Sequence, residues 1–150
     1  MEKTFVMIKP GGVQRNLVGE VIKRFEQKGL VINALKMISV SNEQAQKHYD
    51  IHKEKPFFNS LVTAITSSPV VVMVVSGNNA VKIVRILAGD TNPLLAQPGT
   101  IRGDFSSDIQ MNVIHSADSI ERANYEIMIY FNDDEVLDYD KKINSFVCLG

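Results

Sequence analysis

Apolar residues alternate along this chain between unbroken runs and stripes at helical spacing, and the elements follow from that alternation. Thr4-Phe5-Val6-Met7-Ile8 is continuous and rich in β-formers, which predicts a central strand covered on both faces. Lys9-Pro10-Gly11-Gly12 stops it, because proline has no N–H for the ladder and the glycines permit a turn. Leu17, Val18, Val21, Ile22 and Phe25 form a helical stripe across residues 16–28, with Asn16 at the N-cap and Gly29 just past the end. Residues 30–40 read as a second strand. Ser41-Asn42-Glu43-Gln44 has capping-box spacing, with Val40 and Ala45 placed as a hydrophobic staple, and opens a short helix that ends before Pro56.

Phe57, Phe58, Leu61, Val62 and Ile65 form another stripe, closed by Ser67-Ser68-Pro69. Residues 70–75 read as a third buried strand. Asn78 or Asn79 then caps a helix carrying Ala80, Ile83, Val84 and Leu87, which Gly89 ends. From residue 90 to residue 110 periodicity fails, and turn chemistry takes over at Asn92-Pro93, Gln97-Pro98-Gly99 and Arg102-Gly103-Asp104. A loop of that length inside a compact domain is usually functional. Residues 112–115 form a short fourth strand, and Asp118-Ser119-Ile120-Glu121 is a second capping box, opening a helix through Ile120, Ala123, Ile127 and Tyr130. Leaving accessory helices aside, the order is βαββαβ. This predicts an α+β, ferredoxin-like fold: a four-stranded antiparallel sheet with added helices and a long active-site or interface loop. Two helices cover one face, so extra helices or a neighbouring subunit must cover the rest.

Composition narrows the class. With 150 residues, 45 % hydrophobic and 22 % charged, residues 1–150 are expected to form one domain with its own core. Lys plus Arg number 16 against 17 Asp plus Glu, so nothing in the overall charge points to nucleic acid or an anionic membrane. A bound polyanion must be met by a local cluster. The apolar runs are too short to span a bilayer. Cys148 has no partner for an internal disulfide and reads as an incidental thiol, and the start Met1-Glu2-Lys3-Thr4 lacks a signal-peptide pattern. A cytoplasmic location is the expectation.

Of the histidines, His48 and His52 stand four apart on the short helix without the H-E-x-x-H pattern, and read as a solvated face. His115 differs. It sits at the end of an apolar strand, just before a capped helix N-terminus, where free N–H groups and the helix dipole suit phosphate. Lys9 ends the first strand, Arg85 sits late on the helix after the third, and Arg102 lies in a tight turn of the long loop. If they converge, they make an anion site built from side chains. No G-x-x-x-x-G-K-[ST] is present, so it is not a P-loop.

Asn112-Val113-Ile114-His115-Ser116-Ala117-Asp118 resembles the active-site signature of nucleoside diphosphate kinases. Ile8-Lys9-Pro10 with Gly12-Val13-Gln14-Arg15, Lys55-Pro56-Phe57-Phe58, Thr91-Asn92-Pro93 and residues 98–105 resemble the same family, in order. The resemblance runs from Thr4 to the end. It implies transfer of a γ-phosphoryl group from a nucleoside triphosphate to a histidine and then to a nucleoside diphosphate, with little base specificity. His115 matches the nucleophile, phosphorylated on Nδ1 in the family, and Glu126 the carboxylate that orients its ring. Lys9 and Arg102 match contacts to the terminal phosphates, Arg85 and Thr91 contacts near the β-phosphate, and Tyr49 a residue beside the phosphates and the histidine. Lys9 and Asn112 also match contacts on the sugar side. Phe57 matches the aromatic on which the base stacks, with Ile109 opposite and Leu61 close by, whereas the stripe that Phe57 and Leu61 share with Val62 and Ile65 by itself favours plain helix core. Mg²⁺ is expected to arrive on the nucleotide rather than in a protein cage.

Two positions depart from the family. Gly11 replaces the usual aspartate after the proline and should loosen the segment carrying Lys9, and Ala117 stands where the usual hydroxyl follows the histidine, while Ser116 carries one a residue earlier and should point away. The resemblance also implies a homo-oligomer, with the long loop and the extended C-terminal segment resembling hexameric members. The rival reading is a catalytically weak nucleotide-binding scaffold on the same fold.

Overall fold

The computed structural model describes residues 1–147, so Cys148 lies outside the described residues. Strands β1 (Glu2–Ile8), β2 (Val31–Ile38), β3 (Val70–Gly77) and β4 (Ile114–Ser116) form one sheet in the order β2-β3-β1-β4. Every pairing is antiparallel, with β1 matched to β3 from Glu2↔Gly77 to Ile8↔Val71 and to β4 from Val6↔Ser116 to Ile8↔Ile114. The expected ferredoxin-like topology is present.

The period-two pleat sorts β1 onto two cores. Val6 and Ile8 pack with Val21 and Phe25 of α2 (Val18–Gln27) and with Ala80, Val84 and Ala88 of α5 (Ala80–Ala88). Phe5 and Met7 pack on the other side, with Ala45 of α3 (Asn42–His48), Val62 and Ile65 of α4 (Phe58–Thr66) and Tyr130 of α7 (Ile120–Tyr130). Extra helices of the same chain therefore cover the second face. All of β3 is buried within this one chain. Burying each such Val, Met or Phe side chain is worth about 1.5–3 kcal/mol relative to leaving it in water.

Several boundaries differ from the expected ones. Pro10 does not merely end β1, since it opens a short helix, α1 (Pro10–Gln14), with the proline in its first turn, where its missing N–H costs nothing. Asn16 is not an N-cap. Its φ of 60° places it in the left-handed region that asparagine tolerates, turning the chain between α1 and α2, and Leu17 takes the cap position. Gly29, with φ 90°, ends α2 as expected. The Ser41–Gln44 capping box forms with both of its bonds. Asn79 occupies the cap of α5 without a side-chain bond, and the Glu2 carboxylate instead accepts from Val81 N–H at 2.8 Å. At α7 the box is displaced by one residue, because Ser119 is the N-cap and accepts from Arg122 N–H at 3.0 Å. The long loop contains α6 (Ile101–Phe105), too short to show periodicity, capped by the Thr100 hydroxyl accepting from Gly103 N–H. β4 starts two residues late, because Val113 has φ 72° and cannot extend a strand.

Gly11 sits inside α1, where a Cβ would meet nothing within 4 Å, and the first turn of α1 carries no acidic residue. Gly11→Asp supplies a side chain that restricts the unfolded backbone and a charge that suits the helix N-terminus. It should raise stability by about 1 kcal/mol, read as a shifted denaturant midpoint with an unchanged slope. No shift, or a lower midpoint, would contradict this account of the turn.

Candidate active site

The end of β1 and the start of β4 are locked together by their backbones. Lys9 N–H donates to the Val113 carbonyl at 2.9 Å. A Cβ on Gly12 would stand 2.7 Å from Ile8 Cγ2 and 3.0 Å from that same carbonyl oxygen, so only glycine lets the two segments approach this closely. The approach sets Lys9 Nζ 2.7 Å from Asn112 Oδ1, to which it donates. Val113 carries the strain of the crossing in its left-handed backbone.

His115 follows on β4, opposite Met7 in the ladder, and so points to the face covered by α3 and α7. Its Nε2 lies 2.7 Å from Oε1 of Glu126, a carboxylate of α7 that is 1 % exposed. Oε2 of Glu126 accepts from Arg122 Nε, also at 2.7 Å. Ser116 alternates to the opposite face, is buried, and its hydroxyl has no partner among the described residues, while its carbonyl accepts from Arg85 at 3.2 Å. Ala117 is buried beside Val81 and Ala123.

Arg102 reaches the cleft from α6. One arm donates to the Gly89 carbonyl at 2.8 Å and another to the Ile114 carbonyl at 2.7 Å, which fixes the fork and leaves further donors free. The helix beneath it is pinned from α2 by Arg24, which donates to Asp104 and to the Gly99 carbonyl. Gly103 is required there, because a Cβ would fall 1.9 Å from the Gln97 carbonyl oxygen. Burial, with Arg85 beside it, lowers Arg102 to about 10, still a cation at neutral pH. Burial, with Arg102 adding repulsion, pushes the Lys9 ammonium down to about 8. Tyr49 is pushed up to about 12 by burial and then by Glu126, and stays neutral.

One cleft gathers Lys9, Tyr49, Arg85, Thr91, Arg102, Asn112, His115 and Glu126, with Asp118 at its edge. Leu61 lines an adjoining cavity that shares Lys9 and Tyr49. Phe57 and Ile109 line neither. They are exposed, at 42 % and 59 %, so Phe57 is not the helix core that its stripe suggested, and its ring stands 5.3 Å from that of His52 at the cleft's edge.

His48 is a correction. It is buried rather than solvated, with its ring 4.5 Å from that of His115 and Nδ1 3.0 Å from the Tyr130 hydroxyl. Burial, followed by the charges of His115, Arg122 and Lys9, holds it well below the usual histidine range. The missed signal was spacing, since His48 lies three residues after Ala45 on the stapled, buried side of α3. Arg122 was missed as well, because no motif contains it. Among the described residues His48, His115 and Glu126 are the group able to offer a metal three ligands, their ligand atoms lying within 4.8 Å of one another. Arg122 on the carboxylate and Lys9, Arg85 and Arg102 in the cleft make that a poor resting place for a cation. The arrangement suits a polyanion.

The depressed Lys9 ammonium couples anion binding to protonation. A phosphate group beside the ammonium favours its charged form and raises its pKa again, so binding near pH 8 takes up protons. Well below that pH, Lys9 is charged before and after binding and contributes no uptake. Calorimetry of nucleotide binding at pH 8, in buffers of different ionisation enthalpy, should show this uptake, and Lys9→Arg should remove it. A heat independent of buffer in the unaltered protein would refute the assignment.

Comparison with known proteins shows the family. A family model described as nucleoside diphosphate kinase matches residues 2–136. A nucleoside diphosphate kinase of Archaeoglobus fulgidus is 58 % identical over 147 residues, 98 % of this chain and 97 % of that one. One from Picrophilus torridus is 54 % identical over 138 residues, 92 % of this chain and all of its own. Among solved structures, a halophilic nucleoside diphosphate kinase from Halobacterium salinarum in complex with CDP superposes with a TM-score of 0.96 at 44 % identity, covering 99 % of each chain. A transition-state mimic of the Borrelia burgdorferi enzyme, with vanadate and ADP bound, superposes with a TM-score of 0.91 at 40 % identity, covering 98 % of each. The βαββαβ sheet, the cationic cleft around His115 and these matches along nearly the whole chain make this protein a member of the nucleoside diphosphate kinase family.

Proposed function

We propose that residues 1–150 act as one unit that moves the γ-phosphoryl group of a nucleoside triphosphate onto His115 and from there onto a nucleoside diphosphate. The observation that carries this reading is the bond from His115 Nε2 to the buried Glu126 carboxylate, which leaves Nδ1 without a protein partner among the described residues. The carboxylate holds a proton on Nε2 and so keeps the lone pair on Nδ1. Nδ1 attacks the γ-phosphorus, the bond to the β–γ bridging oxygen breaks, and the diphosphate departs with the electron pair. In the second half, a terminal oxygen of the incoming diphosphate attacks phosphorus and the pair returns to Nδ1. Lys9, Arg85 and Arg102 face the charge that builds on the transferred group, with Thr91 beside them, Tyr49 next to the histidine and Asn112 fixing Lys9. These residues are all in place, which favours an enzyme over a scaffold that has lost activity.

Mg²⁺ fits this cleft as a passenger on the nucleotide. The carboxylates lining it are Glu126, whose oxygens are taken by His115 and Arg122, and the exposed Asp118. When bound, the ion offsets charge on the phosphates. The base would lie in the open between Phe57 and Ile109, near Leu61, where contact by faces reads no hydrogen-bonding edge and discrimination between bases is weak.

Oligomerisation to a hexamer belongs to the same reading. Because the chain covers both sheet faces itself, its support comes from exposed apolar side chains instead. Leu94 is 91 % exposed at the long loop, its exposed neighbour Leu95 lines a surface hollow with Ile86, and Leu35 and Met37 stand exposed on the edge strand β2. No helix among the described residues is long and apolar enough to cross a membrane, and a cytoplasmic setting suits the nucleotide substrates.

Incubation with γ-labelled ATP and Mg²⁺ tests the function directly. The protein should gain an acid-labile label that ADP, GDP, CDP and UDP each discharge, and His115→Ala should gain none. Label persisting in His115→Ala, or discharge by only one diphosphate, would overturn the nucleophile or the base tolerance respectively.

A further inference from the structure

Arg122 makes more directed contacts around the nucleophile than any role so far described requires. It leaves α7 one turn before Glu126, and its Nε donates to Glu126 Oε2 at 2.7 Å, from the side opposite His115. One terminal nitrogen donates to Asp50 Oδ1 at 3.1 Å and the other to the His48 carbonyl. Tyr125 closes the arrangement: its hydroxyl donates to Asp50 Oδ2 at 2.8 Å, and the guanidinium carbon lies 4.7 Å over its ring. Each nitrogen of the guanidinium is thus bonded, to a carboxylate of α7, to the last residue of α3 and to Asp50 in the turn after it, either side of Tyr49. Arg122 lines the same cleft as Lys9 and Arg102, yet each of its nitrogens is committed to a protein oxygen.

We propose that Arg122 is a positioning residue for phosphoryl transfer: by holding the second oxygen of Glu126 and anchoring it to the His48–Asp50 segment, it fixes the carboxylate that orients His115. The proposal rests on the phosphohistidine reading above. A carboxylate with one oxygen free could rotate about its last torsion and let the imidazole turn, and a small misalignment of the attacking nitrogen is costly. With one oxygen accepting from the imidazole N–H and the other held by a guanidinium, the ring has one orientation.

A double-mutant cycle on single-turnover phosphorylation by ATP–Mg²⁺ tests this, with thermal melts confirming folded protein. Arg122→Gln should slow phosphorylation at saturating ATP by about tenfold while the half-saturating ATP concentration changes by less than about twofold. In a Glu126→Gln background the same change should cost less than about twofold, because the carboxylate through which Arg122 acts is gone. Arg122→Lys, which keeps a charge beside Glu126 without the fork, should lose less than Arg122→Gln, and it carries the cycle if the glutamine variant does not fold. Equal losses in both backgrounds, no loss in a folded Arg122→Gln protein, or a change confined to ATP affinity would each overturn the proposal. A label absent from unaltered protein would instead sink the phosphohistidine reading itself, so the two failures are separable.

Discussion

A buried carboxylate governs this site. Glu126 is 1 % exposed, and its oxygens are held by His115 and Arg122. Carboxylate oxygens buried that deeply need both partners, because a buried polar atom left without a hydrogen bond costs about 1–3 kcal/mol or more. The constraint passes outward through the elements that bear the three residues. α7 must pack against β1 and α3 to deliver Glu126 and Arg122, and β4 must enter beside β1 with His115 turned to the same face. The first strand therefore does more than fill the centre of the sheet, because its Phe5 and Met7 form the floor on which the His115 ring rests.

A second constraint lies at the other end of the cleft, where strain and close approach replace burial of charge. Val113 adopts φ 72°, a conformation costly for a β-branched residue, and Gly12 leaves no room for a side chain. In return the Lys9 N–H meets the Val113 carbonyl and Lys9 Nζ meets Asn112. The cationic half of the site, Lys9 with the buried Arg102, is thereby brought against the histidine half. Both cations lie in surroundings that disfavour their charge until an anion arrives. In the proposed reaction, binding energy and electrostatic stabilisation of the transferred group would come from this one arrangement.

How much of this could be read from the residues depends on the length of each feature. The apolar runs of β1 and β3 and the stripes of α2, α4 and α5 are long enough for periodicity, and those elements stand where the pattern placed them. α1 and α6 have five residues each, too few for a stripe, so a turn and a loop were expected where short helices formed. The left-handed residues Asn16 and Val113 have no periodic trace at all, since they answer to tertiary crowding. Motifs single out His115, Lys9, Arg102 and Asn112, and the resemblance adds Glu126 on the helix that follows; the structure brings all five to one cleft. His48 lacks a metal-binding pattern and so reads as solvated, although its place three residues after Ala45 puts it on the buried side of α3, and Arg122 is silent because its partners come from α3 and the turn after it, far away in sequence.

In the proposed reaction Glu126 occupies Nε2 of His115, at 2.7 Å, and Nδ1 is the nucleophile. Nitrogen–phosphorus correlation NMR on the isolated phosphoenzyme, with its histidines labelled, tests it most directly. The account predicts a single phosphoramidate on Nδ1 of His115, with the proton retained on Nε2. Phosphate on Nε2, or on the neighbouring His48, would contradict it.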